Sequence, residues 1–137
     1  MFACTVVTGQ VYTDDSGIYY EIPIVLTPEG PIHVLTDYFV QRWDYRSPAW
    51  MTNVARAIRR FLEFVHANPS ISDERSLFHL FRQRLLTGTV GSLDPSGLWW
   101  SPAHPREVKA TTLQLTDFFN WWAQENPGKQ TPAASLC

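Results

Sequence analysis

The sequence predicts a mainly α fold, in which a small bundle of four helices follows an N-terminal β-hairpin. Two observations predict it: apolar residues recur at helical spacing in two long segments that end in aromatic side chains, and the first 31 residues hold two β-branched runs around a turn sequence. A hydrophobic fraction of 45 % supplies enough apolar surface for a core. We expect three parts: a hairpin over 1–31, a helical domain over 32–126 and a linker or tail over 127–137.

The hairpin is predicted from two strand-forming runs. Residues 4–12 are rich in β-branched side chains, Asp14-Asp-Ser-Gly17 is a turn sequence, and residues 18–26 form the second run. Pro23 cannot donate a ladder hydrogen bond, so we expect an edge or a bulge there. The turn sequence Pro28-Glu-Gly-Pro31 ends the hairpin. Because a two-stranded hairpin is not stable alone, it must pack on the helices or on another chain.

Four helices are predicted from apolar spacing and from residues that start or stop helices. Ser47-Pro48 is a strong start, with Ser as the N-cap and Pro at the first helical position, and Asn68-Pro69 is a stop. Gly88 is suited to the position just after a helix. The predicted helices cover 32–42, 48–67, 73–87, and a last segment that begins near Ser101 or His104 and ends before Asn126.

Apolar residues at helical spacing define the expected core. The loop residues Leu98, Trp99 and Trp100 are expected to plug it. The core positions on the second helix are Trp50, Val54, Ala57, Ile58, Phe61, Phe64 and Val65, and those on the last helix are Val108, Leu113 or Thr112, Leu115, Phe118, Phe119 and Trp122.

No combination of residues in the sequence indicates catalysis. There is no GxSxG or HExxH motif and no glycine-rich phosphate loop, and the four histidines lack metal-ligand spacing. We therefore expect no enzymatic activity, no cofactor and no metal site. Two cysteines at opposite ends, Cys4 and Cys137, fit a reducing compartment, and neither a signal peptide nor a membrane span is visible. The expected location is the cytoplasm.

Two helix faces carry basic side chains. Arg56, Arg59 and Arg60 share one face of the second helix, where a phosphate backbone would meet planar guanidinium donors. The last helix opens with Arg106 and Lys109, followed by threonines that suit phosphate or base-edge contacts. The net charge of −2 gives no general support for nucleic-acid binding. Each pattern taken alone is more often an ordinary solvated helix face.

Two segments carry a resemblance to a known family. Thr52-Asn-Val-Ala-Arg-Ala-Ile-Arg-Arg-Phe-Leu-Glu-Phe-Val65 resembles the first long helix, and Arg106-Glu-Val-Lys-Ala-Thr-Thr-Leu-Gln-Leu-Thr-Asp-Phe-Phe-Asn-Trp-Trp122 the last helix, of the N-terminal core-binding domain of tyrosine recombinases, the phage-integrase family. The β-rich opening with Pro28–Phe39 and Ser47–Met51 is similar to bacterial mobile-element recombinases of the gamma-mobile-trio type. The match covers roughly residues 22–126.

The resemblance implies a SAM-like helical bundle that clamps one side of a DNA duplex while a catalytic domain clamps the other. It implies double-stranded DNA and other copies of the chain on DNA as partners, in the bacterial nucleoid. The catalytic residues of the family lie in a C-terminal domain that this sequence lacks, so the chain should not cleave DNA by itself. The candidate DNA-binding residues are Asn53, Arg56, Arg59, Arg60, Arg106, Lys109, Thr111 and Thr112.

The main alternative is a non-catalytic protein-interaction or self-association module. In that interpretation the hairpin edge and exposed aromatic side chains dock a partner chain or a second copy. The aromatic candidates are Trp43, Tyr45, Trp99 and Trp100. A small enzyme with an aromatic pocket has the least support, because no acid, base or nucleophile stands out.

Overall fold

A computed structural model of the chain describes residues 4–15, 17–90 and 96–128. The elements are β1 (Thr5–Thr13), β2 (Ile18–Thr27), β3 (Gly30–Pro31), α1 (His33–Arg42), α2 (Pro48–Ala67), α3 (Glu74–Thr87) and α4 (Pro105–Glu125). Four helices after an N-terminal sheet confirm the predicted class at this level, whereas the SAM-like bundle arrangement stays a prediction. The chain divides into two compact units, 1–59 and 60–137, and the division falls within α2. The predicted parts 1–31, 32–126 and 127–137 also stay a prediction.

The sheet contains the predicted hairpin and one further strand. β1 and β2 pair antiparallel from Thr13 opposite Ile18 to Thr5 opposite Leu26 without interruption. Pro23, which is opposite Thr8, therefore causes no bulge. β2 is the middle strand of the sheet, but β3 pairs with Leu26 and Thr27 at its end, so among the described residues Pro23 is paired on one side, with β1. The missing amide donor of Pro23 is therefore tolerated although β2 is not an edge strand.

The sequence Pro28–Pro31 turns the chain back into β3. Thr27 lies opposite Gly30, which leaves Pro28 and Glu29 as the loop. The hydroxyl of Thr27 accepts a hydrogen bond from the Glu29 amide at 3.2 Å and donates one to the Gly30 carbonyl at 3.0 Å. Gly30 has a φ of +116°, which L side chains rarely adopt. The expected end of the hairpin is therefore a tight turn between two strands.

Local side-chain hydrogen bonds explain where the helices begin and end. The Ser47 hydroxyl accepts from the Trp50 amide at 3.1 Å at the start of α2, as the sequence predicts. Asn68 donates to the Phe64 carbonyl at 2.9 Å at its end. For α4, the ring Nδ1 of His104 accepts from the Arg106 amide at 3.1 Å, so the later of the two predicted starts is confirmed.

In the unit 1–59, the core is formed by β2, α1 and the first part of α2. The ring of Tyr38 is fully buried, and its centroid lies 5.2 Å from that of Phe39 in an edge-to-face contact. The buried apolar side chains of this unit are Ile22, Val25, Leu35, Tyr38, Phe39, Met51, Val54, Ala55, Ala57 and Ile58. Burial of Val54, Ala57 and Ile58 confirms most of the apolar face predicted for this part of α2, while Trp50 is half-buried.

In the unit 60–137, an aromatic cluster forms the core. The Phe61 ring meets Phe81, Phe119 and Phe78 edge-to-face, with centroids 5.3, 5.5 and 6.1 Å apart. Such pairs contribute about 0.5–1.5 kcal/mol each beyond the area that they bury. On α4, Leu113 is 60 % exposed and Thr112 is half-buried, so Thr112 is the correct choice of the two predicted.

Gly88 ends α3 in a conformation and a space that exclude a side chain. Its φ is +76°, and an added Cβ would lie 2.7 Å from the Trp100 carbonyl oxygen and 2.9 Å from the Pro102 nitrogen. Gly97 has nearly the same φ, +73°, and among the described residues, its two chain neighbours apart, no atom lies within 4 Å of such a Cβ. We expect Gly88→Ala to lower the free energy of unfolding by at least about 1 kcal/mol more than Gly97→Ala, measured by urea denaturation. Equal losses would show that α3 does not need the close approach at Gly88.

Asp73 caps α3 and gives its stability a dependence on pH. The hydroxyl and the amide of Ser76 donate to the Asp73 carboxylate at 2.6 and 2.9 Å, and these two bonds lower the pKa of Asp73 below its ordinary value. A lowered folded-state pKa means that the stabilisation is complete above the ordinary pKa and is lost as the pH falls through the lowered value.

Asp73→Asn keeps a capping side chain without the charge. We expect the wild-type protein to lose its stability advantage over this variant as the pH falls from about 6 to about 2.5, by urea denaturation at each pH. A difference that does not change with pH would contradict the role of the ionised carboxylate.

Candidate nucleic-acid interface

The apolar side of α2 is buried, so the polar residues lie on the opposite side, named here the α2 face and formed by Asn53, Arg56, Arg59 and Arg60. A helix turns by about 100° per residue, so Asn53, Arg56, Arg59 and Arg60 fall within an arc of about 120°. Asn53 and Arg56 are exposed, and Arg59 and Arg60 are half-buried. The predicted polar face is therefore present on this helix. Glu63 lies within the same arc and is half-buried, and its carboxylate reduces the positive potential there.

Arg60 is held against an aromatic ring. Its guanidinium carbon lies 4.8 Å from the ring centroid of Trp100, which is stacked on Phe64 at 5.9 Å. A guanidinium over the face of a tryptophan is attracted by the ring quadrupole. This contact fixes the position of one positive charge of α2, and a variant that removes it also disturbs the packing around Trp100.

The structure separates the four candidates on α4. Arg106 and Lys109 are exposed near its start. Thr111, two residues further on, lies about 200° around the helix from Lys109 and is half-buried. Thr112 is also half-buried, and its hydroxyl donates to the Val108 carbonyl at 2.7 Å. A duplex that met Arg106 and Lys109 would therefore not meet Thr111 on the same surface.

The charge of the chain is unevenly distributed, which the net value hides. The first 41 residues hold five acidic side chains and neither lysine nor arginine. Residues 42–60 hold five arginines and a single acidic residue, Asp44. Two of these arginines, Arg42 and Arg46, are absent from the candidate set. The alternation of arginine with aromatic residues in Arg42-Trp-Asp-Tyr-Arg46 is the sequence feature that could have revealed them.

The four aromatic candidates for a protein interface fall into two classes. Tyr45 is 64 % exposed and Trp99 is 71 % exposed. Trp43 is half-buried, with its ring edge-to-face to Tyr20 at 5.7 Å, and Trp100 is half-buried against the aromatic core. The expectation that residues 98–100 plug the core is therefore wrong for Trp99.

Trp99 is exposed because of the backbone around it. Thr89 binds Trp100 twice: its amide donates to the Trp100 carbonyl at 2.8 Å, and its hydroxyl accepts from the Trp100 amide at 2.7 Å. Trp99 has a φ of +57°, and no other non-glycine residue in the described ranges has a positive φ. This conformation costs a bulky L-residue about 1–2 kcal/mol.

Comparison with known proteins finds no match: no family model matches the chain, and no curated protein or solved structure is significantly similar to it. Within residues 4–15, 17–90 and 96–128, no group of three or more His, Cys, Asp or Glu side chains could hold a metal ion. Over the same residues, no helix combines the length and the apolar character that a membrane span requires. The geometry of the basic and aromatic side chains is therefore the basis for a functional proposal.

The strain at Trp99 is measurable. Trp99→Gly removes an exposed side chain and relieves the left-handed conformation, so we expect the free energy of unfolding to stay unchanged or to rise by up to about 1 kcal/mol. Trp100→Ala, next to it, removes a ring packed on Phe64 and Phe81 and should cost about 2 kcal/mol. Urea denaturation of both variants tests this. A loss of more than about 1 kcal/mol for Trp99→Gly would contradict it.

Proposed function

We propose that this chain is the DNA-positioning, core-binding module of a site-specific tyrosine recombinase and that it works without catalytic residues of its own. The observation that carries the proposal is the polar side of α2, where Arg56 is exposed beside Asn53 while the opposite side is buried. The resemblance of residues 52–65 and 106–122 to the core-binding domain supports the same interpretation. Cleavage and rejoining would come from a separate catalytic domain, on the bacterial chromosome in the cytoplasm.

The mechanism of binding is electrostatic. Guanidinium groups donate to phosphate oxygens and release condensed counterions from the duplex. On α2 the donors are Arg56, Arg59 and Arg60, and Arg106 and Lys109 are separate candidate donors on α4. About two to three phosphate contacts from one helix give a modest affinity that falls steeply with salt. Most of these contacts position the duplex, while Asn53 can also reach a base edge.

A self-association module is the second candidate, and Trp99 favours it. A tryptophan that is 71 % exposed in a strained conformation is a candidate contact residue. Charged residues and prolines usually protect an edge strand from pairing with another chain. The outer strand β1 has neither over Thr5–Thr13, so its edge could pair with a second copy. Salt-insensitive self-association without duplex binding would favour this candidate over the first.

Arg56 allows a direct test of the DNA-binding proposal. We expect Arg56→Ala to weaken binding to a duplex of about 30 base pairs by threefold to tenfold at low salt, and to reduce the salt dependence by about one phosphate contact. The measurement is fluorescence anisotropy over a series of salt concentrations.

Arg82→Ala is the matched control, because it removes an equal charge from an exposed position on α3, outside the candidate set. Its effect should be less than about twofold. Equal effects of the two substitutions would contradict the assignment of the α2 face, and a wild-type protein that does not bind the duplex at low salt would contradict the proposed function.

A further inference from the structure

The segment that joins α1 to α2 is rich in arginine and aromatic residues, and both arginines lie on rings. Arg42 ends α1 and Arg46 lies one residue before Ser47, the cap of α2. The rings are Tyr38 on α1, Tyr45 in the connection, and Trp50 in the first turn of α2. All of these residues belong to the unit 1–59.

Arg46 is placed at the surface by Trp50. Its guanidinium carbon lies 4.6 Å from the ring centroid, and Arg46 is exposed while Trp50 is half-buried. A guanidinium held over the face of a ring by cation–π attraction still has N–H groups that can donate to a phosphate. Trp50, Asn53 and Arg56 follow one another at intervals of three residues along α2. The charge of Arg46 therefore continues the row that leads to Arg56.

Arg42 is fixed by two tyrosines. Its guanidinium carbon lies 4.8 Å from the Tyr38 centroid and 5.8 Å from the Tyr45 centroid, and one terminal nitrogen donates to the Tyr45 hydroxyl at 3.0 Å. The ring of Tyr38 is fully buried and is part of the core, whereas the Tyr45 side chain is 64 % exposed. The arrangement holds a half-buried arginine at the edge of the surface with little side-chain freedom.

We propose that Arg42, Tyr45, Arg46 and Trp50 form a second phosphate-contact surface, named here the connector surface, that extends the α2 face along the backbone of duplex DNA. This inference rests on the proposed function. The charge pattern identifies the partner: the segment 42–60 has five arginines against Asp44, which suits a polyanion.

The rings make this surface effective with few charges. An arginine side chain that is mobile on the protein surface loses rotamer freedom when it binds a phosphate, whereas a side chain already held against a ring loses less. Charge and preorganisation can therefore be separated by substitution. Arg46→Ala removes the charge, and Tyr45→Leu removes a ring and a hydroxyl but keeps Arg42 and its charge.

Fluorescence anisotropy with the full chain and a duplex of about 30 base pairs tests the proposal, with circular dichroism to confirm that each variant is folded. We expect Arg46→Ala to weaken binding about fivefold at low salt and to lower the salt dependence by about one contact. Tyr45→Leu should weaken binding about twofold to threefold with the salt dependence unchanged. Arg82→Ala on α3 controls for the loss of one charge.

The outcomes separate this inference from the proposed function. If Arg56→Ala weakens binding but Arg46→Ala behaves as Arg82→Ala does, the connector surface is wrong and the α2 face stands. If Tyr45→Leu binds as the wild type does, Tyr45 does not position Arg42 for the duplex, and that part of the connector surface is wrong. If the wild-type chain does not bind the duplex at low salt, both proposals are overturned.

Discussion

Burial of one side of the first part of α2 is the constraint on which the candidate site in the unit 1–59 depends. Met51, Val54 and Ile58 are each at most 1 % exposed. A helix buried in this way cannot rotate about its axis without exposing several large side chains, each worth about 1.5–3 kcal/mol. The opposite side must then carry the polar residues. The position of Arg56 is therefore determined by the core.

A second theme is that aromatic rings anchored in a core position arginines at the surface. Arg60 lies on Trp100, which stacks on Phe64. Arg42 lies on the buried Tyr38, and Arg46 on Trp50, whose ring is 6.4 Å from that of Tyr38. In each contact the attraction between the guanidinium and the ring holds the charge at a fixed position. Under the proposed function, a chain of net charge −2 would depend on a few preorganised cations rather than on a strongly basic surface.

The sequence was informative where structure follows from local chemistry. Ser47-Pro48 and Asn68-Pro69 set the limits of α2 through capping and through proline, which act within a few residues. The short strand β3 escaped prediction because its two residues become a strand only by pairing with β2. Trp99 was misplaced because its exposure depends on hydrogen bonds between Thr89 and Trp100, eleven positions apart. Arg42 and Arg46 became candidate contact residues only through their contacts with aromatic rings in the structure, although their spacing among aromatic residues is visible in the sequence.

The arginine-rich segment leading into and along α2 is proposed to meet the phosphate backbone of a duplex. The most direct measurement is a titration of the ¹⁵N-labelled chain with duplex DNA, followed by NMR chemical shifts of backbone amides and arginine Nε–H groups. We expect shifts concentrated in residues 42–60, with smaller ones at Arg106 and Lys109, all reversed by added salt. If added DNA leaves the signals of residues 42–60 unchanged, and the observed shifts are confined to Trp99 and β1 and depend on protein concentration, DNA binding by this segment is contradicted.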